Sequence, residues 1–238
     1  MPAVVYSEKD QAGKNIARFL EREAICIEEE LVDCKRDFDS DLVVFASRHA
    51  SASGKPCLTV HCTGNWDAAE KGGETRTLSR ASARASKCAL DWLKEHSLDG
   101  FEVFLEATHH GPTHLTAPSL FIEVGSSPNE WAKEEAAKRV AECIDFVCDN
   151  WEATKGKTAL GFGGGHYCPA FNSLDYAFSH IAPKYALDFI DEALIAQAIG
   201  KTIEEVECAV IDWKGCNRAQ REKIVSACKK NNLKVVRA

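Results

Sequence analysis

Along the 238-residue chain, short apolar runs rich in β-branched residues alternate with longer stretches whose apolar positions recur every three or four residues. These are the signatures of strands and amphipathic helices. The short runs predict strands at Ala3 to Tyr6, Ala24 to Glu28, Leu42 to Ala46, Cys57 to His61, Phe101 to Glu106, Ser119 to Val124, Thr158 to Phe162, Val206 to Ile211 and Leu233 to Val236. Many are almost continuously apolar, as expected of strands buried on both faces of a largely parallel sheet. Helix starts are legible as well. Ser127-Pro128-Asn129-Glu130 offers a Ser cap, a Pro at the first helical position and a Glu three residues after the cap. It predicts one long helix toward Trp151, with Trp131, Val140, Ile144, Val147 and Trp151 on its apolar stripe. Asn217 with Gln220 marks a second start. No repeat and no Pro/Ser/Gly-rich linker divides the chain. The expected fold is therefore a single α/β domain over 1–238: a mixed, largely parallel sheet flanked by helices, ending in a basic strand-helix-strand segment at about 206–238.

A hydrophobic fraction of 45% against 27% charged residues excludes a disordered or collagenous chain. No apolar run reaches the roughly 18 residues a membrane span needs, and the first residues carry no basic region before an apolar stretch, so a cytoplasmic protein without a cleaved leader is expected. Eleven cysteines without C-x-x-C spacing read as reduced thiols, most of them small core residues. The net charge of -7 hides an asymmetry. Residues 21–41 hold nine acids and three bases, whereas Lys214 to the C-terminus holds eight bases and one acid, Glu222.

The chemistry gathers where predicted strands end. Ser47-Arg48-His49-Ala50-Ser51, His61-Cys62-Thr63-Gly64-Asn65, Glu106-Ala107-Thr108-His109-His110-Gly111-Pro112, Glu123-Val124-Gly125-Ser126 and Gly163-Gly164-Gly165-His166-Tyr167 each follow or close an apolar run. In an open α/β sheet such strand ends converge on one crevice. Repetition at five ends is hard to assign to packing, because His and Glu are rarely buried without partners. Histidines with Glu106 and Glu123 suit zinc, which takes imidazole nitrogen and carboxylate oxygen. Without metal, the same groups supply a general base and oxyanion donors for attack on an ester or amide. Thr108, Ser47 and Cys62 are candidate nucleophiles, with direct water attack preferred. The glycines at 163–165 allow close backbone approach, but no dinucleotide or P-loop fingerprint is present, which argues against nucleotide hydrolysis. Arg76, Arg80 and Arg84 recur every four residues in a segment free of acids from Thr75 to Leu90. On a helix they would form one basic stripe suited to phosphate backbone, with the basic C-terminal segment as a second such surface.

Taken together and in this order, these five motifs, with Asp212-Trp213-Lys214-Gly215 and its basic helix, resemble the archaeal and plant type of D-aminoacyl-tRNA deacylase. The resemblance spans most of the chain. It implies a monomeric, zinc-associated enzyme with an α/β fold similar to phosphorylases and peptidyl-tRNA hydrolases. The implied reaction is hydrolysis of the ester between a D-amino acid and the terminal ribose of tRNA. Its implied site is His49, His61, Asn65, Glu106, Thr108, His109, His110, Glu123 and His166. Within this frame we assign His49, His61, His109, Glu123 and His166 to metal, and His110, Glu106 and Thr108 to catalysis. Ser47, Arg48, Asn65, Gly163, Gly164, Gly165, Arg76, Arg80 and Arg84 are assigned to D-aminoacyl-tRNA. The alternatives are a metal-dependent hydrolase of a small ester or amide, needing no basic surface, and a module that binds the tRNA end without chemistry.

Overall fold

The computed structural model describes residues 1–52 and 54–238. Among the described residues, ten strands form two sheets rather than one. The first contains β1 (Ala3–Ser7), β2 (Ala24–Ile27), β3 (Val43–Ala50), β4 (Cys57–His61), β5 (Glu102–Leu105) and β6 (Ser119–Ser126), in the order β2-β1-β3-β6-β4-β5. Its pairs are parallel except β4 with β6, so β4 and β5 run against the other four strands. The second contains β7 (Lys157–Phe162), β8 (Tyr176–Ala182), β9 (Cys208–Ile211) and β10 (Lys234–Arg237), all parallel in the order β10-β9-β7-β8. Helices α1 (Gln11–Ala17), α2 (Ala83–Glu95), α3 (Pro128–Trp131), α4 (Glu134–Asn150), α5 (Pro169–Asn172), α6 (Glu192–Lys201) and α7 (Arg218–Lys230) complete the α/β architecture.

The alternation of side chains along a strand gives the first sheet two unlike faces. Val44, Ala46, Leu58, Val60, Leu120, Ile122 and Val124 are buried in one core with residues of α1, α2 and α4. On the opposite face, Val5, Val43, Phe45 and Phe121 join Leu31, Phe38 and Leu115 in a smaller cluster. That cluster covers part of the face only. The two-residue period of β3, β4 and β6 carries the same face onward through Ser47, His49, Thr59, His61 and Glu123.

The sheets are joined by backbone and side-chain bonds: Ala107 N–H donates to His166 O (2.8 Å), Thr108 N–H to Ile181 O (2.9 Å), and Ile181 N–H to Thr108 Oγ1 (3.0 Å). α2 touches strands of both sheets.

Three local expectations change. The strand β8 breaks the apolar pattern with Ser179 and His180, both buried because they have partners: Thr202 Oγ1 donates to Ser179 Oγ (2.8 Å), and His180 Nε2 lies 3.0 Å from Ser79 O. The helix that begins at the Ser127 cap stops at Trp131 and restarts at Glu134. The Trp131 indole donates to His49 O (3.0 Å) and lies 5.8 Å from the Arg48 guanidinium, which ties the short helix to β3 before α4 settles on the sheet. Finally, Arg76, Arg80 and Arg84 do not share a helical face. α2 starts at Ala83 because Ser82 caps it, accepting from Ala85 N–H (3.0 Å), so Arg76 and Arg80 lie in the preceding irregular segment.

The eleven cysteines are free thiols and ten are buried, as the sequence pattern implies. The capping box at Asn217 and Gln220 is formed, opening the helix of the C-terminal strand-helix-strand unit.

Candidate active site

Seven titratable side chains meet on the uncovered face of the first sheet. Register explains how. Glu123 stands in the middle of β6, paired across to Ser47 on β3 and Thr59 on β4. Because β4 runs antiparallel, His61 falls level with Phe121 and His49 level with Gly125, so the two histidines flank Glu123 from opposite ends. Glu106 follows β5 with its N–H bound to Val60 O (2.9 Å), which sets it beside His61. His109 and His110 follow on the same segment, and His166 arrives from the loop after β7. The site therefore lies across the sheet face, with Glu106, His109, His110 and His166 brought onto it from beyond the ends of β5 and β7.

Two constellations can be separated within it. In the first, His61, His109 and His110 each hold Nδ1 against a main-chain carbonyl: Cys62 O at 3.2 Å, Ala107 O at 2.8 Å and Gly111 O at 2.6 Å. With Nδ1–H donated to each carbonyl, His109 and His110, which burial keeps neutral, present Nε2 as a lone pair, the orientation that metal-binding imidazoles adopt, and His61 does so once the proton favoured by Glu123 leaves. One ligand atom from each ring lies within 4.8 Å of the other two. Phe121 is the floor: its ring stacks on His61 (centroids 5.3 Å apart) and meets His110 edge-on (4.9 Å). His110 takes a left-handed backbone, φ 49°, a strained conformation for a non-glycine residue of the kind that collects at functional sites.

In the second constellation Glu106 sits between two histidines, with Oε1 2.9 Å from His49 Nδ1 and Oε2 2.8 Å from His166 Nε2. The Tyr167 hydroxyl lies 2.9 Å from His49 Nε2. Glu123 Oε2 bridges the constellations, 3.6 Å from His49 Nδ1 and 3.7 Å from His61 Nε2, and accepts from Thr59 Oγ1 (3.3 Å).

Burial opposes charge on all of these groups, and proximity decides which keep it. Burial would discharge His49, but Glu106 and Glu123 overcome it and raise its pKa to about 12. His61 is raised for the same reason, by Glu123 and then Glu106. Burial would likewise raise Glu106 and Glu123, yet their histidine neighbours hold both well below the usual carboxylate range. Burial and the charge of His61 lower His110 to about 4, and burial with the other histidines lowers His109 well below its ordinary value.

The donor set fits a metal ion. His61 Nε2 and both Glu106 carboxylate oxygens are buried without a hydrogen bond of adequate geometry, which is costly unless another ligand completes them. His61 with Glu106 and Glu123, and His49 with Glu106 and His166, form two further groups whose ligand atoms lie within 4.8 Å of one another. Imidazole and carboxylate donors with no thiolate are the donors of a catalytic zinc or another borderline divalent cation.

The remaining expected residues take other positions. Ser47 Oγ donates to Asp10 Oδ2 (3.1 Å), and the Arg48 guanidinium pairs with Glu30 (2.9 Å). Asn65 Nδ2 donates to Gly72 O (3.0 Å) and Glu74 O (3.2 Å), shaping the loop that borders the site. The Thr108 hydroxyl is engaged as the acceptor that joins the two sheets. Gly163 N–H already donates to Ala182 O (2.8 Å), and a Cβ on Gly163 would meet Cys216 Sγ at 2.5 Å, so this run packs against the loop after β9. Arg76 pairs with Asp191 (2.6 Å) and donates to Phe189 O (2.7 Å). Arg80 and Arg84 are exposed.

Two cavities meet at the histidines. One, of about 450 Å³, is lined by Asn65, Trp66, Tyr185 and Phe189 among others, and the second, of about 630 Å³, by Asp10, Glu30, Arg48 and Glu123. His109, His110 and His166 line both. Tyr167 and the aromatic wall were not picked out from sequence. Tyr167 follows His166 directly, a signal that was available, whereas Trp66, Tyr185 and Phe189 are scattered residues that only folding unites.

Comparison with known proteins agrees with the motifs. The family model described as D-aminoacyl-tRNA deacylase matches residues 36–236. A protein of Pyrococcus abyssi named D-aminoacyl-tRNA deacylase is 42% identical over 224 residues, spanning 92% of this chain and 79% of its own. One from Pyrococcus furiosus bearing the same name is 46% identical over 188 residues, 76% of this chain and 68% of its own. Another from Methanocaldococcus jannaschii is 34% identical over 252 residues and spans 97% of this chain and 96% of its own. Among solved structures, a conserved protein of unknown function, AF0625, superposes with a TM-score of 0.91 at 29% identity, covering all of this chain and 95% of that one.

Proposed function

Because this chain belongs to the D-aminoacyl-tRNA deacylase family, we infer that its polar sheet face hydrolyses the ester bond of D-aminoacyl-tRNA, releasing free D-amino acid and tRNA. The observation that carries the reading beyond family membership is the meeting of five histidines and two carboxylates on one face, where two cavities open to either side. An ester needs little more than a positioned water and a proton carrier, since its carbonyl is already activated relative to an amide.

We assign His166 as that carrier. It lines both cavities, is one-third exposed at its side chain, and has its Nε2 held 2.8 Å from Glu106. It takes a proton from water attacking the ester carbonyl and returns it to the departing ribose oxygen. Glu106 steadies the imidazolium as a buried carboxylate does in a catalytic triad. His49, protonated between Glu106 and Glu123 and in contact with the Tyr167 hydroxyl, keeps Glu106 ionised and oriented for this task. His61, His109 and His110 would hold zinc, which when bound supplies Lewis-acid polarisation of a carbonyl and acidifies water. This exchanges the roles first given to His110 and His166. The reason is that His110 has its Nδ1 committed to Gly111 O and its Nε2 among the other histidines, whereas His166 is paired with Glu106 and one-third exposed at its side chain. Thr108 bonds the two sheets together, and Gly163 and Gly164 fix the loop after β7 to Ala182 and Lys184.

The same reading makes the protein a monomer working in the cytoplasm, where charged tRNA is found. Among the described residues no helix is long and apolar enough to cross a membrane. Light scattering on the eluted protein checks the monomer. The reaction is tested by release of labelled amino acid from matched D- and L-aminoacyl-tRNA, before and after chelation and after zinc is returned. Release of D with L spared, stopped by chelation and restored by zinc, is expected. A folded protein that releases neither overturns the assignment.

A further inference from the structure

The two cavities differ in chemistry, and the substrate has two unlike arms. An ester whose carbonyl lies against the shared wall of His109, His110 and His166 must send its acyl arm to one side and its nucleoside arm to the other. The larger cavity is acidic: Asp10, Glu30, Asp33 and Glu123 line it against Arg48 and His49, with Glu70 and Lys71 on the wall it shares with the other. That charge suits the α-ammonium of an amino acid. The smaller cavity is aromatic. Trp66 is buried in its wall with its indole N–H donated to Ile181 O (3.1 Å), while Tyr185 and Phe189 stand on it 64% and 46% exposed. Two of the five large hydrophobic side chains exposed among the described residues thus face a single cavity beside the catalytic groups.

We propose that the Trp66, Tyr185 and Phe189 cavity is the subsite for the terminal adenine of tRNA. The proposal rests on the deacylase reading and deepens it. Adenine is flat and uncharged, and bases splayed from a single strand are held by stacking on aromatic side chains. It is also the part of the substrate that stays constant while the amino acid varies, so a built pocket can serve every charged tRNA. Arg76 is a positioning residue here. Its guanidinium donates to Phe189 O and pairs with Asp191, clamping the segment that carries both exposed rings.

The test uses adenosine and cytidine as calorimetric ligands, together with D-Tyr-tRNA and D-Ala-tRNA as substrates. The variants are Tyr185→Ala, Phe189→Ala and Tyr185→Phe, with Phe146→Ala as the control for loss of an exposed aromatic elsewhere. Adenosine is expected to bind more tightly than cytidine. Tyr185→Ala and Phe189→Ala each weaken adenosine binding and raise KM about tenfold for both tRNAs, the size of one lost stacking contact. Tyr185→Phe retains binding, and Phe146→Ala changes neither readout. A loss confined to D-Tyr-tRNA, with adenosine binding unaltered, would assign the cavity to the amino-acid side chain and overturn the proposal. Because the titration needs no turnover, the two readings fail separately. Adenosine binding abolished by the variants in a protein that releases no amino acid defeats the deacylase reading alone. Deacylation untouched by the variants defeats the subsite alone.

Discussion

The two faces of the first sheet are buried to the same degree and do opposite work. Along β6, Leu120, Ile122 and Val124 point to the helices and Phe121 and Glu123 to the site, and all five side chains are almost fully enclosed. On the helix face enclosure is sufficient, because an apolar group gains from leaving water and asks for no partner. Across the sheet, enclosure turns every polar atom into a demand. Glu106 meets that demand with His49 at 2.9 Å and His166 at 2.8 Å, and Glu123 with Thr59 and longer contacts to His49 and His61, while His61 Nε2 has no hydrogen bond. Histidine shows the same contrast between regions. Buried beside two carboxylates, His49 is pushed up to about 12, whereas His180, buried on β8 among Ser79 O, the Thr202 hydroxyl and the Trp66 ring, is pushed down to about 4 by burial first and then by the charge of Lys201. Burial does not tell core from site; the charge of the neighbours does.

Substitutions on the two faces should separate stability from turnover. The largest effect is expected from Ile122→Ala, which empties a fully buried position in the helix-side core. Urea unfolding should show a loss of about 3 kcal/mol, with turnover per folded molecule retained. Turnover lost beyond the unfolded fraction would mean that the faces are not independent.

His180 should produce an effect of similar size, visible only in its pH dependence. Its folded pKa lies near 4, below the ordinary 6.5, so the unfolded chain binds the proton more readily between these values. Stability is whole above about pH 6.5 and falls as the pH drops toward 4, by up to about 3 kcal/mol. Denaturation of His180→Asn, compared with the parent across this window, should show a flatter profile. Parallel profiles would refute the assignment.

His166→Ala should lower single-turnover release at least about a hundredfold per folded molecule, beyond the stability lost when buried Glu106 keeps only His49 at close range. Near-parental turnover would remove His166 as the proton carrier. The smallest effect belongs to Ser82→Ala. It removes the cap of α2 and a 2.7 Å bond to Glu204, at about 1 kcal/mol of stability with no change in catalysis.

Much of this molecule could be read before it was folded. Nine of the ten strands coincide with apolar runs, since a strand entering a core must be apolar whatever packs against it. β8 escaped because Ser179 and His180 look exposed until Thr202 and Ser79 are brought to them. The seven residues of the His/Glu cluster were visible as well, because seldom-buried side chains recurred at the edges of buried runs. Their roles were not visible. Spacing of four residues placed Arg76, Arg80 and Arg84 on one helix, and the Ser82 cap, two residues past Arg80, moved the helix start beyond the first two.

By itself the sequence determined nine of the strands and the two capped helix starts at Ser127 and Asn217, which residue types carry the chemistry, and to which family the chain belongs. These depend on local periodicity and on motifs contiguous in the chain. Only the tertiary structure decided that the strands divide between two sheets, that antiparallel β4 sets His61 and His49 on opposite sides of Glu123, and that Trp66, Tyr185 and Phe189 form one wall. Register and long-range packing decide which lone pairs face one another, and neither is a local property of the chain.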